Sequence, residues 1–125
     1  MHLGHSTTLL NAVTADTTSN GTPVGNATKL SLQLTASAIS AGNGVFTVDV
    51  SNDDGATWIA YNRLIDNVTN TNVQNQTRIA SKTLSSNTSV ILFFDDSDVF
   101  DRVRVTVDRT TDGTYSAILF VQTDG

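Results

Sequence analysis

Apolar and polar residues alternate with a period of two along much of this chain. In 28–36, Leu30, Leu32 and Leu34 fall on one side and Ser31, Gln33 and Thr35 on the other. Phe46, Val48 and Val50 repeat the pattern in 45–51. In 102–108, Val103, Val105 and Val107 alternate with Arg102, Arg104 and Thr106. This period places successive side chains on opposite faces of a strand, one facing a core and one facing solvent or a partner. Two further runs, 89–94 and 114–122, are apolar on both faces and read as strands covered on both sides. Segments 7–14, 57–65 and 77–84 complete a set of eight predicted strands.

Turn chemistry separates the runs: Gly42-Asn43-Gly44, Asp53-Asp54-Gly55, Ser85-Ser86-Asn87 and Thr111-Asp112-Gly113. Asp-Gly between two strand-like runs is a hairpin signal, so hairpins are expected at 51–57 and 108–114. Many short strands at this spacing predict an all-β fold. The expectation is a single antiparallel β-sandwich, jelly-roll or Ig-like, with little or no helix. Its bounds are 7–125, and residues 1–6 read as a flexible arm that orders on assembly. Asp66 to Gln76, with Asn67, Asn70, Asn72 and Asn75, lacks periodicity and reads as a long loop of the functional or mobile kind.

Composition narrows the chemistry. Only 15 % of the 125 residues are charged, and all twelve acidic residues are Asp. Asp favours turns, whereas the absent Glu favours helix. A net charge of −5 opposes binding to a phosphate backbone, so no nucleic-acid partner is expected. The absence of Cys removes disulfides and thiolate metal sites. No run has the length of a signal sequence or a membrane span, so synthesis in the cytoplasm and no membrane partner are expected.

Candidate catalytic groups are scarce. The two histidines, His2 and His5, lie in the predicted arm, away from any Ser or Thr nucleophile. Every Asp except Asp49 sits in or beside a predicted turn, where pKa-shifting burial is not expected. No Gly-rich phosphate loop precedes a helix. No enzyme activity and no cofactor are therefore expected. Asp95, Asp96, Asp98 and Asp101 form a local carboxylate cluster that could offer oxygens to Ca²⁺. Arg102 and Arg104 beside it would neutralise it instead, and no metal is expected. His2 and His5 are a poor metal scaffold on a frayed terminus. The sequons at Asn20, Asn26, Asn67, Asn75 and Asn87 read as a product of composition. Trp58, Tyr61 and Tyr115 could form a stacking platform for sugars, but their apolar neighbours point to a core role.

Ser51-Asn52-Asp53-Asp54-Gly55-Ala56-Thr57-Trp58 fits S-x-D-x-G-x-T-W and resembles the Asp-box of sialidases and related β-propellers. The resemblance implies a structural turn in which Ser51 and Asp53 brace the backbone, Gly55 takes a positive φ and Trp58 packs beneath. Over nearly its whole length the chain also resembles small β-sandwich virion proteins of tailed bacteriophages. The residues that carry this likeness are His2 to Val13, Trp58 to Asn67, Arg102 to Val107 and Asp112 to Ala117. The resemblance implies a non-enzymatic oligomer, often a trimer, that decorates or cements a capsid at the virion surface. Its partners would be the major capsid protein and copies of itself. His2, Leu3, His5, Asn70 and Asn72 are the expected contact residues. The alternative expectation is a carbohydrate-binding or adhesin module of a tail fibre or cell surface.

Overall fold

The computed structural model describes residues 2–66 and 77–124. They form two stacked six-stranded antiparallel sheets, a β-sandwich. The first sheet runs in the order β1 (His2–Val13), β12 (Thr114–Asp124), β4 (Lys29–Ser37), β10 (Thr88–Phe93), β7 (Leu64–Asp66), β8 (Thr77–Ile79). The second runs β2 (Thr17–Thr18), β11 (Arg102–Thr110), β5 (Asn43–Ser51), β6 (Ile59–Ala60). To it β3 (Thr22–Pro23) adds beside β11, and β9 (Ser81–Leu84) beside β5. No helix occurs among the described residues.

The alternating strands behave as their pattern predicts. Leu32, Leu34 and Ala36 of β4 and Tyr115, Ala117, Leu119 and Val121 of β12 point inward from the first sheet. Phe46 and Val48 of β5 and Val103, Val105 and Val107 of β11 meet them from the second. Burial of these faces supplies most of the drive to fold, at about 25 cal/mol per Å² of apolar surface removed from water.

Three expectations need correction. The segment 108–114 is an arch, not a hairpin: β11 lies in one sheet and β12 in the other. Its positive φ values, 70° at Thr111 and 109° at Gly113, serve an arch as well as a hairpin. The inward faces of the two strands are better buried against each other than side by side. The segment 57–65 is two short strands, β6 on the second sheet and β7 on the first, and 77–84 splits likewise into β8 and β9. Strands that switch sheets make the corners of a sandwich, and this pair closes one flank. Residues 2–6, expected as a free arm, form the first half of β1 and pair with β12 from His2↔Asp124 to Ser6↔Phe120. Backbone pairing needs no apolar side chains, which is why periodicity gave no sign of it.

The arch end is tied by side chains. The Asp112 carboxylate accepts N–H bonds from Ser40, Ala41 and Gly42 at 2.9–3.2 Å, and Asn87 Oδ1 accepts one from Ile39 at 2.9 Å. Three sheet-to-sheet connections thus hold one another. Under them the Tyr115 ring meets Phe46 edge-on at 5.9 Å, and its hydroxyl donates to the Asp112 carbonyl at 2.9 Å.

Candidate functional site

The outer face of the first sheet is the most informative surface. The runs in β10 and β12, expected to be covered on both sides, are covered on one. Ile91, Phe93 and Phe120 are 44, 43 and 42 % exposed. Pairing register sets them in two rows. One runs Thr8, Ile118, Gln33, Ile91, and the other Ser6, Phe120, Ser31, Phe93. Ser31 is small, so a gap opens between the two phenylalanine rings. The result is a cleft of about 300 Å³ lined by Lys29, Leu30, Ser31, Phe93, Asp96, Phe120 and Gln122. Its polar end carries the Lys29–Asp96 ion pair, 3.7 Å apart and exposed, which contributes little stability. Sequence reasoning missed this surface because a continuous apolar run looks the same whether its second face meets its own chain or nothing.

The aromatics proposed as a sugar platform lie elsewhere and apart. Tyr115 and Tyr61 are buried. Tyr61 stacks with Phe94 and Phe100 at ring distances of 5.2 and 5.8 Å. The Arg104 guanidinium covers the Trp58 ring at 4.5 Å and pairs with Asp49 at 3.0 Å. The three therefore form no common ring surface.

The carboxylates considered for Ca²⁺ are each engaged by protein groups. Asp95 pairs with Arg63 at 3.1 Å and Arg78 at 3.3 Å, and accepts the Ser97 N–H and hydroxyl at 2.9 and 2.7 Å. Asp98 pairs with Arg63 Nε at 3.0 Å and accepts from the Tyr61 hydroxyl at 2.8 Å. Asp96 meets Lys29, and Asp101 accepts the Asp54 N–H at 3.0 Å. Asp101 Oδ1 and Arg102 Nε are buried without a hydrogen-bond partner and face each other at 3.7 Å. The described residues contain no group of three or more His, Cys, Asp or Glu able to hold a metal ion. Arg104, expected beside the cluster, turns to Asp49. Arg63, just before β7, and Arg78, in β8, take its place, brought together by a register that sequence spacing does not reveal.

At 51–58 the chain forms the expected hairpin between β5 and β6. Ser51 Oγ donates to Asp53 Oδ1 at 2.8 Å and accepts the Gly55 N–H at 2.9 Å. Asp53 Oδ1 also accepts the Thr57 N–H at 2.8 Å. Gly55 has φ 89°, a conformation open to glycine because it lacks Cβ. Trp58 is half-buried beside it. Of the expected contact residues, His2, Leu3 and His5 lie on β1, with Leu3 49 % exposed. Asn70 and Asn72 lie outside the described residues.

Three carboxyls are held below their ordinary value. N–H bonds from Thr57 and the Ser51 hydroxyl hold Asp53 below 3.8. Ser97 and then Arg63 bring Asp95 down to about 2. The N–H groups of Ser40, Ala41 and Gly42 lower Asp112. Burial pushes the Tyr61 hydroxyl up to about 12, so it remains a donor to Asp98. A folded-state value below the unfolded one gives stability that is complete above the unfolded value and is lost as pH falls through the folded value. Melting temperature should therefore be insensitive to these groups near neutrality and drop as pH falls from about 4 toward 2. Asp112→Asn should flatten that drop. Thermal denaturation followed by circular dichroism at stepped pH values checks both.

No family model and no curated protein matches the chain. Among solved structures it is similar to the SPBc2 prophage-derived protein YomS, with a TM-score of 0.67 at 17 % identity. That alignment covers 98 % of this chain and 96 % of that one. The crystal structure of PirA aligns with a TM-score of 0.49 at 9 % identity, over 94 % of this chain and 92 % of that one. At such identities the likeness to YomS is one of fold.

Proposed function

We propose that this chain is a non-enzymatic virion structural protein of a tailed phage, one that decorates or cements the capsid and stabilises the particle. The observation that carries the reading is the uncovered outer face of the first sheet, where Ile91, Phe93 and Phe120 stand exposed close together on a rigid sandwich. Contiguous exposed apolar patches mark interaction sites, and a preformed sheet loses little entropy on docking. The prophage origin in the name of YomS, whose fold this chain shares end to end, supports a phage setting. In this reading the partners are the major capsid protein and further copies of the chain, and the site of action is the capsid surface. Binding to the assembled lattice alone would stabilise it by mass action.

Quantitative mass spectrometry of purified particles tests the reading. Many copies per particle are expected, and occupancy should fall at least about tenfold for Phe93→Ser, roughly the 1.4 kcal/mol carried by one buried anchor. A chain abundant in lysates and missing from particles overturns the proposal.

One observation favours a second reading, a carbohydrate-binding or adhesin module: the cleft between Phe93 and Phe120, apolar on its flanks and polar at its Lys29–Asp96 end. Sugar faces stack on aromatic rings while their hydroxyls seek polar partners. Glycan-array binding that Phe120→Ala removes without loss of fold would replace the first reading with this one.

A further inference from the structure

Sheet edges expose rows of backbone N–H and C=O groups, and natural proteins blunt them with short strands, charges or proline. The other outer strands of this sandwich follow that rule. β8 has three residues and carries Arg78, β9 has four and carries Lys82, and β2 and β6 have two each. β3 has two residues, one of them Pro23. β1 is the exception at twelve residues. It pairs with β12 on one side, and among the described residues no strand pairs with the other. From His2 to Thr8 its register is unbroken; the irregularities come later, between Thr8 and Leu10 and between Leu10 and Val13.

Hydrogen bonds fix which backbone groups are free. The Thr28 N–H donates to the Gln122 carbonyl at 2.7 Å, so Gln122 faces β4 and the next residue faces β1. Thr123 Oγ1 accordingly donates to the Leu3 carbonyl at 3.4 Å. Backbone groups alternate in direction along an antiparallel strand. Leu3, His5 and Thr7 therefore face β12, while Gly4, Ser6 and Thr8 face outward.

We propose that this edge pairs antiparallel with β1 of a second copy about a two-fold axis at Ser6, joining the two first sheets into one. It rests on the self-association within the decoration reading and names the surface responsible. The chain carries a net charge of −5, so two copies repel, yet no carboxylate precedes Asp16 and no Lys or Arg precedes Lys29. The edge is thus where two copies meet without opposing like charges. An antiparallel strand is complementary to itself, and a two-fold contact closes without leaving a free edge to propagate. Gly4 would oppose Thr8 and Ser6 would oppose Ser6, forming about six backbone hydrogen bonds. Leu3, exposed although it shares the core-side face with buried Val121, would gain cover from the adjoining sandwich.

Sedimentation velocity of the full chain, from low to high micromolar concentration, is the test. The wild type should sediment as a dimer or an even multiple of two. Ser6→Pro combined with Thr8→Lys should sediment as a monomer with an unchanged circular dichroism spectrum. The proline removes only an outward-facing donor and the lysine charges the edge. The chain has no cysteine, so Ser6→Cys should give an interchain disulfide on mild oxidation. Facing Cα atoms about 5.5 Å apart lie within disulfide reach. Thr110→Cys, at the far end of β11, should not. If the double variant unfolds, the Ser6→Cys cross-link decides. A monomeric or trimeric wild type, a dimer that survives the double variant, or no cross-link at position 6 overturns the pairing. The capsid reading would survive any of these results, since its measurement is occupancy on particles. Absence from particles would likewise leave the pairing intact.

Discussion

Replacing Phe46 by alanine is expected to remove about 3–5 kcal/mol of folding stability, much of what a domain of this size has. Phe46 is 1 % exposed and sits on β5 in the middle of the second sheet. Its ring meets the edge of Tyr115 from the opposite sheet at 5.9 Å, an arrangement that adds to simple burial. Truncation forfeits the transfer free energy of the ring and leaves a cavity that two hydrogen-bonded sheets cannot collapse to fill. Urea titration should show the midpoint falling by about 1–3 M at an unchanged slope. Ile91→Ala, on the open face of the first sheet, is the control and should cost far less. A Phe46→Ala midpoint within about 0.3 M of wild type would mean that the sheets pack less closely than described.

The opposite change, adding one carbon, is expected to be damaging at Gly44, though less so than the loss of Phe46. A Cβ there would lie 2.5 Å from Tyr115 Cε1 and 2.7 Å from Cδ1. The ring cannot move aside, because its hydroxyl is bound to the Asp112 carbonyl and Phe46 lies against its edge. Overpacking a filled core costs about 1–3 kcal/mol. Combining Gly44→Ala with Tyr115→Leu should cost less than the sum of the two single changes, since the smaller side chain vacates the space that the methyl needs. A double-mutant cycle by chemical denaturation measures that coupling. Additive losses would show that the two positions do not share the slot.

The sandwich, its paired core faces and the 51–58 turn were legible because each has a local code. Alternation at Leu30, Leu32 and Leu34 tells which side is inward without knowledge of the neighbour. Ser51, Asp53, Gly55 and Thr57 make the turn's hydrogen bonds within one short segment. The remainder depends on partners distant in sequence. Nothing in Trp58 to Ile65 marks the point at which the chain leaves one sheet for the other. The cations that engage Asp95, Arg63 and Arg78, are set by the pairing of β7 with β8. The outer face was unreadable for a different reason: Ile91 and Phe93 are as apolar as core residues, and hydrophobicity reports a need for cover without saying what provides it. The edge strand from His2 to Ser6 is held by main-chain bonds that carry no side-chain signature.

The register of β1 with β12 places residue 2 opposite residue 124, so both ends of the described chain leave from one corner of the molecule. A load applied between them would pull perpendicular to that ladder and open its bonds one after another, like a zipper. The rest of the sandwich would stay whole while a single strand peeled away. Linkers or labels fixed to either end would project from the same corner and leave the opposite, arch-bound end unobstructed.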